Sequence, residues 1–286
     1  MPMYRLSEDR RSHFKEYEVI YLGAEDLDHA MKLIAAHPDF VVLGGSTDVA
    51  VKIKKQSSMA GMIDIASLQE LHVIETASDT IHIGALATIT DILENSAICT
   101  HLPILIAAAE QFASRQIRNL ATLGGNIANA SPAADLVAPL LVLNATVTLG
   151  SQEGKRVMAL KDLFCGYKCT KLEHELILEI TIPLVNHAWY YRKTGVRERL
   201  NITKVGLAAI KTSEGYYRVS GTSLNPYASR FGHVENMLNS GDVDDGKLIE
   251  ALQLDISPSG SLRSTKAYRS QVAFNMLKEA LSKLAE

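Results

Sequence analysis

Cross-linking and metal-binding groups are scarce in this 286-residue sequence. Its three cysteines, Cys99, Cys165 and Cys169, are too few and too odd in number for a disulfide framework, which suits a reducing cytoplasm. They also exclude an all-cysteine iron–sulfur cluster or a four-cysteine zinc site within this chain. Cys165 and Cys169 stand in FCGYKC, whose three-residue gap differs from the CxxC redox spacing; they read as two unrelated small side chains flanking a glycine turn rather than as a ligand pair. The nine histidines are scattered, with no HxH or HExxH spacing, so no structural metal is expected. Long apolar runs are missing too. VAPLLVL at 137–143 is far too short to span a bilayer, so no membrane segment is expected. Basic charge is not in excess. With 29 Lys and Arg against 32 Asp and Glu, the net charge of −3 speaks against nucleic acid as the main partner. The opening MPMYRLSEDRR carries charges where a signal peptide needs an apolar core, so export is not expected.

The composition that remains, 47% apolar and 21% charged, is that of a folded globular chain, and the length allows about two domains. YEVIYL (17–22) reads as a strand. A helix follows from Glu25 to Ala36, with Leu27, Ala30, Met31 and Ile34 on one face and Pro38 as its stop. FVVLG (40–44) reads as a short buried strand. MIDIASLQEL (62–71) reads as a strand entering a helical turn, and residues 80–95 as a strand, a glycine turn and a helix from Thr88. Residues 102–113 are helical by composition; KRVMALKDLF and HELILEITIP are strand-rich. A boundary falls near 184–188. Beyond it WYYRKTG, KVGLAAIKT and YYRVSGTSL have the alternation of an antiparallel meander. An amphipathic helix from Ser264 closes the chain, with Tyr268, Val272, Met276, Ala280 and Leu284 on one face. The order predicts an α+β protein of two lobes.

Two glycine-pair loops carry the chemical signal. In VVLGGSTDVAVKIKK (41–55) a buried strand runs into Gly44-Gly45, Ser46, Thr47 and Asp48. Glycine lets the backbone approach a ligand closely, and free N–H groups bind phosphate oxygens, above all where a helix starts after Asp48. Taken alone, an ordinary strand-end turn explains it as well; neither GxGxxG nor a P-loop is present. In the second, RQIRNLATLGGNIANASPAADLVAPLLVL (115–143), a β-like segment meets Gly124-Gly125, and Asn126 and Asn129 add donors and acceptors. Ser131-Pro132 reads as a helix start, with Asp135 in the first turn, placed either for a ligand hydroxyl or only for the helix dipole. Two such loops suggest two walls of one pyrophosphate site.

TLGGNIANASPAADLVAP resembles the second flavin loop of the FAD-binding subunits of molybdenum hydroxylases, the relatives of xanthine dehydrogenase, aldehyde oxidoreductase and carbon monoxide dehydrogenase. FVVLGGSTDVAVKIK is similar to their first flavin loop. MIDIASLQEL, IHIGALATITDI, QIRNLATLGGNI, LFCGYKCTKLEHELILEITIP and SLRSTKAYRSQVAFNML extend the likeness over nearly the whole chain. The resemblance implies an α+β fold: a two-part FAD-binding domain of the vanillyl-alcohol-oxidase/p-cresol-methylhydroxylase type over 1–185, with parts at about 1–60 and 61–185, then a small α+β domain over 188–286. It implies that Val42, Leu43, Gly44, Gly45, Ser46, Thr47, Asp48 and Val49 wrap the FAD pyrophosphate and ribityl chain. Thr122, Leu123, Gly124, Gly125 and Asn126 form the second wall. Phe112 falls where the family has an aromatic near the flavin and Asp135 on a ribityl-binding aspartate. Ile177 falls on an apolar residue near the isoalloxazine, and Lys193 on a cofactor-contacting lysine.

LGGSTDV departs from the AGGTDL of many family members and is closer to the xanthine dehydrogenase branch; the cysteine-rich insertion of some relatives is absent. The resemblance further implies a heteromeric cytoplasmic complex, in which a large subunit holds molybdopterin and a small subunit holds [2Fe-2S] clusters. Electrons pass to FAD in this chain and on to NAD+ or another acceptor, with NAD+ favoured. No catalytic acid or base is expected from the chain itself. A stand-alone FAD-dependent oxidase of the same fold and a non-catalytic flavin-binding assembly module remain as alternatives.

Overall fold

The computed structural model describes residues 19–53, 59–195, 197, 202–241 and 244–285. The chain begins with β1 (Ile20–Gly23), α1 (Leu27–Ala36), β2 (Val41–Leu43), α2 (Val49–Ile53) and β3 (Gly61–Asp64). Residues 17 and 18 of the expected first strand lie outside the described residues. Asp26 caps α1, its side chain accepting from the His29 N–H at 2.7 Å and so satisfying one of the helix's orphan donors. β1 and β2 both pair in parallel with β3, in the order β1-β3-β2. Ala30 and Ile34 of α1 bury against Ile63, Leu68, Leu71 and Leu86. The first glycine pair thus leaves the carboxyl end of a parallel strand, where α/β units commonly bind ligands.

The middle of the chain runs β4 (Ile74–Thr76), β5 (Thr80–Gly84), α3 (Ile89–Glu94), α4 (Ser96–His101), α5 (Pro103–Glu110), α6 (Arg115–Arg118), α7 (Leu123–Ala128) and α8 (Val137–Val142). It continues through β6 (Thr146–Ser151), β7 (Gly154–Ala159), α9 (Leu160–Leu163), β8 (Phe164–Gly166), β9 (Cys169–Thr170) and β10 (Leu176–Pro183). Five strands form an antiparallel sheet in the order β4-β5-β10-β6-β7. Thr88 caps α3 in a reciprocal capping box with Asp91, as the helix start at Thr88 anticipated. Every residue of α8 is buried, so the apolar run at 137–143 is a core helix.

Several expectations are corrected here. Gly124-Gly125 follows no strand: both residues lie in the first turn of α7, which Thr122 caps by accepting from the Gly125 N–H at 3.1 Å. Ser131-Pro132 starts no helix. Ala130 takes φ 45°, residues 131–136 form turns, and α8 begins only at Val137. The LKDL of the strand-rich 155–164 segment is the helical turn α9. Cys165 and Cys169 are not unrelated: the short β8–β9 hairpin brings their Cα atoms to 5.4 Å, within disulfide range, and their sulfurs are bonded. The bridge closes a sequence separation of 4 and spans no core element.

The last third is β11 (His187–Thr194), β12 (Val205–Thr212), β13 (Tyr217–Thr222), β14 (Ser229–Arg230), α10 (Gly232–Ser240), α11 (Asp245–Asp255) and α12 (Lys266–Leu284). The strands make the expected antiparallel meander, β11-β12-β13-β14, with Tyr190, Leu207, Val219, Leu248, Met276 and Leu277 in one core. Thr265, not Ser264, caps α12. Its buried face is Arg269, Ala273, Met276, Leu277, Ala280 and Leu284, and Tyr268 is exposed.

Two arginines fasten this sheet to α8. Arg230 Nη1 donates to Leu141 O at 3.1 Å and Asn144 Oδ1 at 2.7 Å, while its other face pairs with Glu235, Nη2 to Oε2 at 2.7 Å. Arg218 Nη1 donates to Val142 O at 3.3 Å. The last carbonyls of α8 have no partner within the helix, so these guanidiniums satisfy them and suit the negative end of its dipole. Burial and the charge of Arg230 draw the Arg218 guanidinium below its ordinary value. Arg230→Ala is therefore expected to lower the unfolding free energy by about 2–3 kcal/mol in a urea titration, because it leaves the Glu235 carboxylate without its cation and Asn144 Oδ1 without its donor.

Candidate functional site

The two glycine loops face each other across one cleft. Its lining includes Val42, Gly44, Gly45, Ser46, Thr47, Asp48 and Val49 from the first loop, with Phe112, Thr122, Gly125 and Asn126 opposite. Val41, Lys52, Ala121, Ala128 and Asn129 complete it. The loops close because glycine lets backbone meet backbone. A Cβ on Gly45 would stand 1.6 Å from Leu120 O, and one on Gly124 2.7 Å from Ala85 O. Gly124 N–H donates to that same Ala85 carbonyl at 2.8 Å and Leu123 N–H to Ala87 O at 3.0 Å, which stitches the start of α7 to the segment after β5.

The cleft is electrically suited to an anion. Among the described residues the N–H groups of Gly45, Ser46, Thr47 and Asp48 donate to no protein acceptor. Ser46 takes φ 56°, a left-handed conformation of the kind that lets successive amides form an anion-binding concavity. Lys52 is the one cation on the described wall. Asn126 Oδ1 and Asn129 Oδ1 are buried without partners, two acceptors awaiting a donor. Free amides for a diphosphate, bare acceptors for hydroxyls and an aromatic at Phe112 fit a flavin dinucleotide. Phe112 is held at the end of α5 by Arg118, whose Nη1 donates to Phe112 O at 2.9 Å.

The remaining sequence-derived candidates stand behind the wall. Leu43 and Leu123 are buried in the core, Gly124 abuts Ala85, and Ile177 lies buried in β10 beside a bulge. Asp135 and Lys193 form a buried ion pair, Nζ to Oδ2 at 2.6 Å, with side chains 8% and 3% exposed. Thr203 donates to the other Asp135 oxygen, and Lys193 also donates to Gln111 O at 2.9 Å, next to Phe112. Burial pushes the Asp135 carboxyl above its ordinary value, against the opposite pull of Lys193 and Thr203. Burial, with the Asp135 charge nearby, pushes the Tyr191 phenol well up. Lys52 and Ala128 were not legible as lining residues, since nothing in their type or spacing marks a wall.

Residues 13–185 match the family model described as the FAD binding domain in molybdopterin dehydrogenase. The chain belongs to this family. It is 30% identical over 275 residues to the xanthine dehydrogenase FAD-binding subunit of Escherichia coli O157:H7, covering 92% of this chain and 94% of that one. It is 34% identical over 238 residues to the nicotinate dehydrogenase FAD-subunit of Eubacterium barkeri, covering 78% and 80%. Among solved structures, a carbon monoxide dehydrogenase from Hydrogenophaga pseudoflava superposes with a TM-score of 0.88 at 25% identity, over 95% of this chain and 98% of that one. The expected FAD-binding α+β fold is thereby borne out, and the chain is an FAD-binding oxidoreductase subunit of the molybdenum hydroxylase family. Among the described residues no helix is long and apolar enough to cross a membrane, and no cluster of three or more His, Cys, Asp or Glu could hold a metal.

Proposed function

We propose that this chain is the FAD subunit of a xanthine dehydrogenase-like complex in the cytoplasm. It receives electrons from [2Fe-2S] clusters of a small subunit, which draws them from molybdopterin in a large subunit, and delivers them to NAD+. The observation that carries this reading is the composition of the cleft: its described wall has free amides, glycines and carboxamides but no His, Cys, Tyr or Glu. Apart from Asp48, which is tied to Asn129, and Lys52, the wall carries no ionisable side chain, and such a site holds and orients a cofactor.

Within that reading the chain divides into an FAD-binding domain over 1–185, with parts at about 1–60 and 61–185, and a C-terminal domain over 188–286. The amides of residues 45–48 hold the pyrophosphate, with Val42, Gly44 and Val49 closing that wall. Thr122, Gly125 and Asn126 form the opposite wall, and Phe112 lies beside the flavin ring. Leu43, Leu123, Gly124 and Ile177 support these from the core, while Asp135 and Lys193 set the backbone beneath them. FAD, once bound, accepts electrons singly and gives them up as a pair in hydride form.

The purified complex, made anaerobic, is expected to lose its visible flavin band on addition of NADH, the reverse of the proposed delivery. A band that persists with NADH sinks NAD+ as acceptor. Turnover of a small organic substrate by the isolated chain favours the stand-alone oxidase instead. Flavin that no donor reduces favours the assembly module.

A further inference from the structure

Asn129 stands where α7 ends, one turn beyond Asn126, so the two carboxamides lie side by side on the helix face that lines the cleft. Its Nδ2 donates to Asp48 Oδ2 at 2.9 Å, across 81 residues of sequence. Among the described residues this is the one side-chain hydrogen bond between the first loop and the second. The carboxamide's orientation follows from chemistry: an ionised carboxylate only accepts, so the amide nitrogen must face Asp48. Its oxygen therefore faces elsewhere, and that oxygen is buried with no partner. A buried bare acceptor costs free energy unless a ligand supplies a donor. Asp48 itself is exposed and sits one residue before α2, where its charge beside a diphosphate would repel unless it were held to one side.

We propose that Asn129 is a positioning residue that locks the two loops together. Its nitrogen holds the Asp48 carboxylate back from the phosphate-binding amides, and its oxygen accepts from a hydroxyl of the bound cofactor. The two halves of one carboxamide thus link closure of the first loop to occupancy of the cleft. This rests on the reading of the cleft as the FAD site. Asn126, with its own bare oxygen, has no corresponding side-chain bond to the first loop among the described residues.

The test uses full-length protein stripped of flavin and titrated with FAD by absorbance and fluorescence, with melting of each flavin-free form recorded beside it. Asn129→Asp sets two carboxylates against each other and is expected to weaken FAD binding by about 10- to 100-fold. The swap Asp48→Asn with Asn129→Asp rebuilds the bond with donor and acceptor exchanged, and is expected to recover most of that loss. Asn129→Ala is expected to weaken binding by about tenfold while the flavin-free protein melts near the wild type. Unchanged affinity in Asn129→Ala, or a swap no better than Asn129→Asp, overturns the proposal. Should the alanine variant fail to fold, the two isosteric variants decide alone. A wild type that binds no FAD would instead strike the reading of the cleft.

Discussion

Gly45→Ala is expected to cost more flavin affinity than any other single methyl added in the cleft. The new carbon would lie 1.6 Å from Leu120 O and 2.6 Å from Leu120 C, both backbone atoms. No rotamer change relieves a clash with backbone, so either the first loop or residues 120–121 must move by an ångström or more. Leu120 directly precedes the Ala121 and Thr122 wall, so both sides of the cleft shift apart together. The expected result is FAD binding weaker by about 100-fold and a stability loss of about 1–3 kcal/mol from overpacking. Flavin absorbance per mole of purified protein, with a urea titration, measures both. Gly44→Ala provides the comparison. Its Cβ would meet Leu86 Cδ2 at 3.0 Å, the far end of a flexible side chain, so a few tenths of an ångström suffice and most flavin should be retained. Equal flavin content in the two variants would contradict the close backbone approach at Gly45.

Lys193→Met should produce the largest loss of stability. The ammonium is the cation paired with the buried Asp135 carboxylate, and methionine matches the stem while removing the charge. Removing one partner of a buried pair costs about 3–5 kcal/mol, because the other charge remains without compensation. The sign of the pH dependence follows. With Lys193 gone, the burial that already raises the Asp135 carboxyl acts unopposed except by Thr203. A carboxyl whose folded value is raised contributes stability below its unfolded value, and that contribution is lost as pH rises through the folded value. The deficit of the variant relative to wild type should therefore be smaller at pH 5 than at pH 8. A deficit that is constant or grows toward pH 5 would show that Asp135 is not the charge left behind. Flavin content should fall too, since Lys193 also holds Gln111 O beside Phe112.

Periodicity and turn chemistry identified much of this fold. Ala30 and Ile34 share a face because helical repeat demands it, and both are buried; β10 and the meander followed from alternation closed by Pro183 and by glycines. The failures have a common cause. Gly124-Gly125 looks like a turn because glycine is a poor helix former, yet it lies in α7 because only hydrogen fits against Ala85. Ser131-Pro132 has the form of a helix start, but Pro132 O accepts from Ser223 N–H, a partner 91 residues on, and the chain turns there instead. On α12 the expected stripe shares Met276, Ala280 and Leu284 with the buried face but errs at Tyr268, because the neighbouring Arg269 is buried instead, with its guanidinium spent on Ser223 O and Ser264 Oγ. Each is a residue whose local preference was overruled by a distant backbone atom.

The two glycine loops and the antiparallel C-terminal sheet were legible in the sequence because they depend on residue type at fixed local spacing, and the class of cofactor came from the family resemblance those loops carry. Tertiary structure decided which candidates touch the cleft and which support it. Asp135, Ile177 and Lys193 came from matching positions, and nothing in a linear pattern distinguishes a wall from the layer beneath. It also decided the Cys165–Cys169 bond, the Asn129–Asp48 link and the arginine clamp on α8. Each of these depends on a side chain's reach in three dimensions, which for the last two is set by elements more than 80 residues apart.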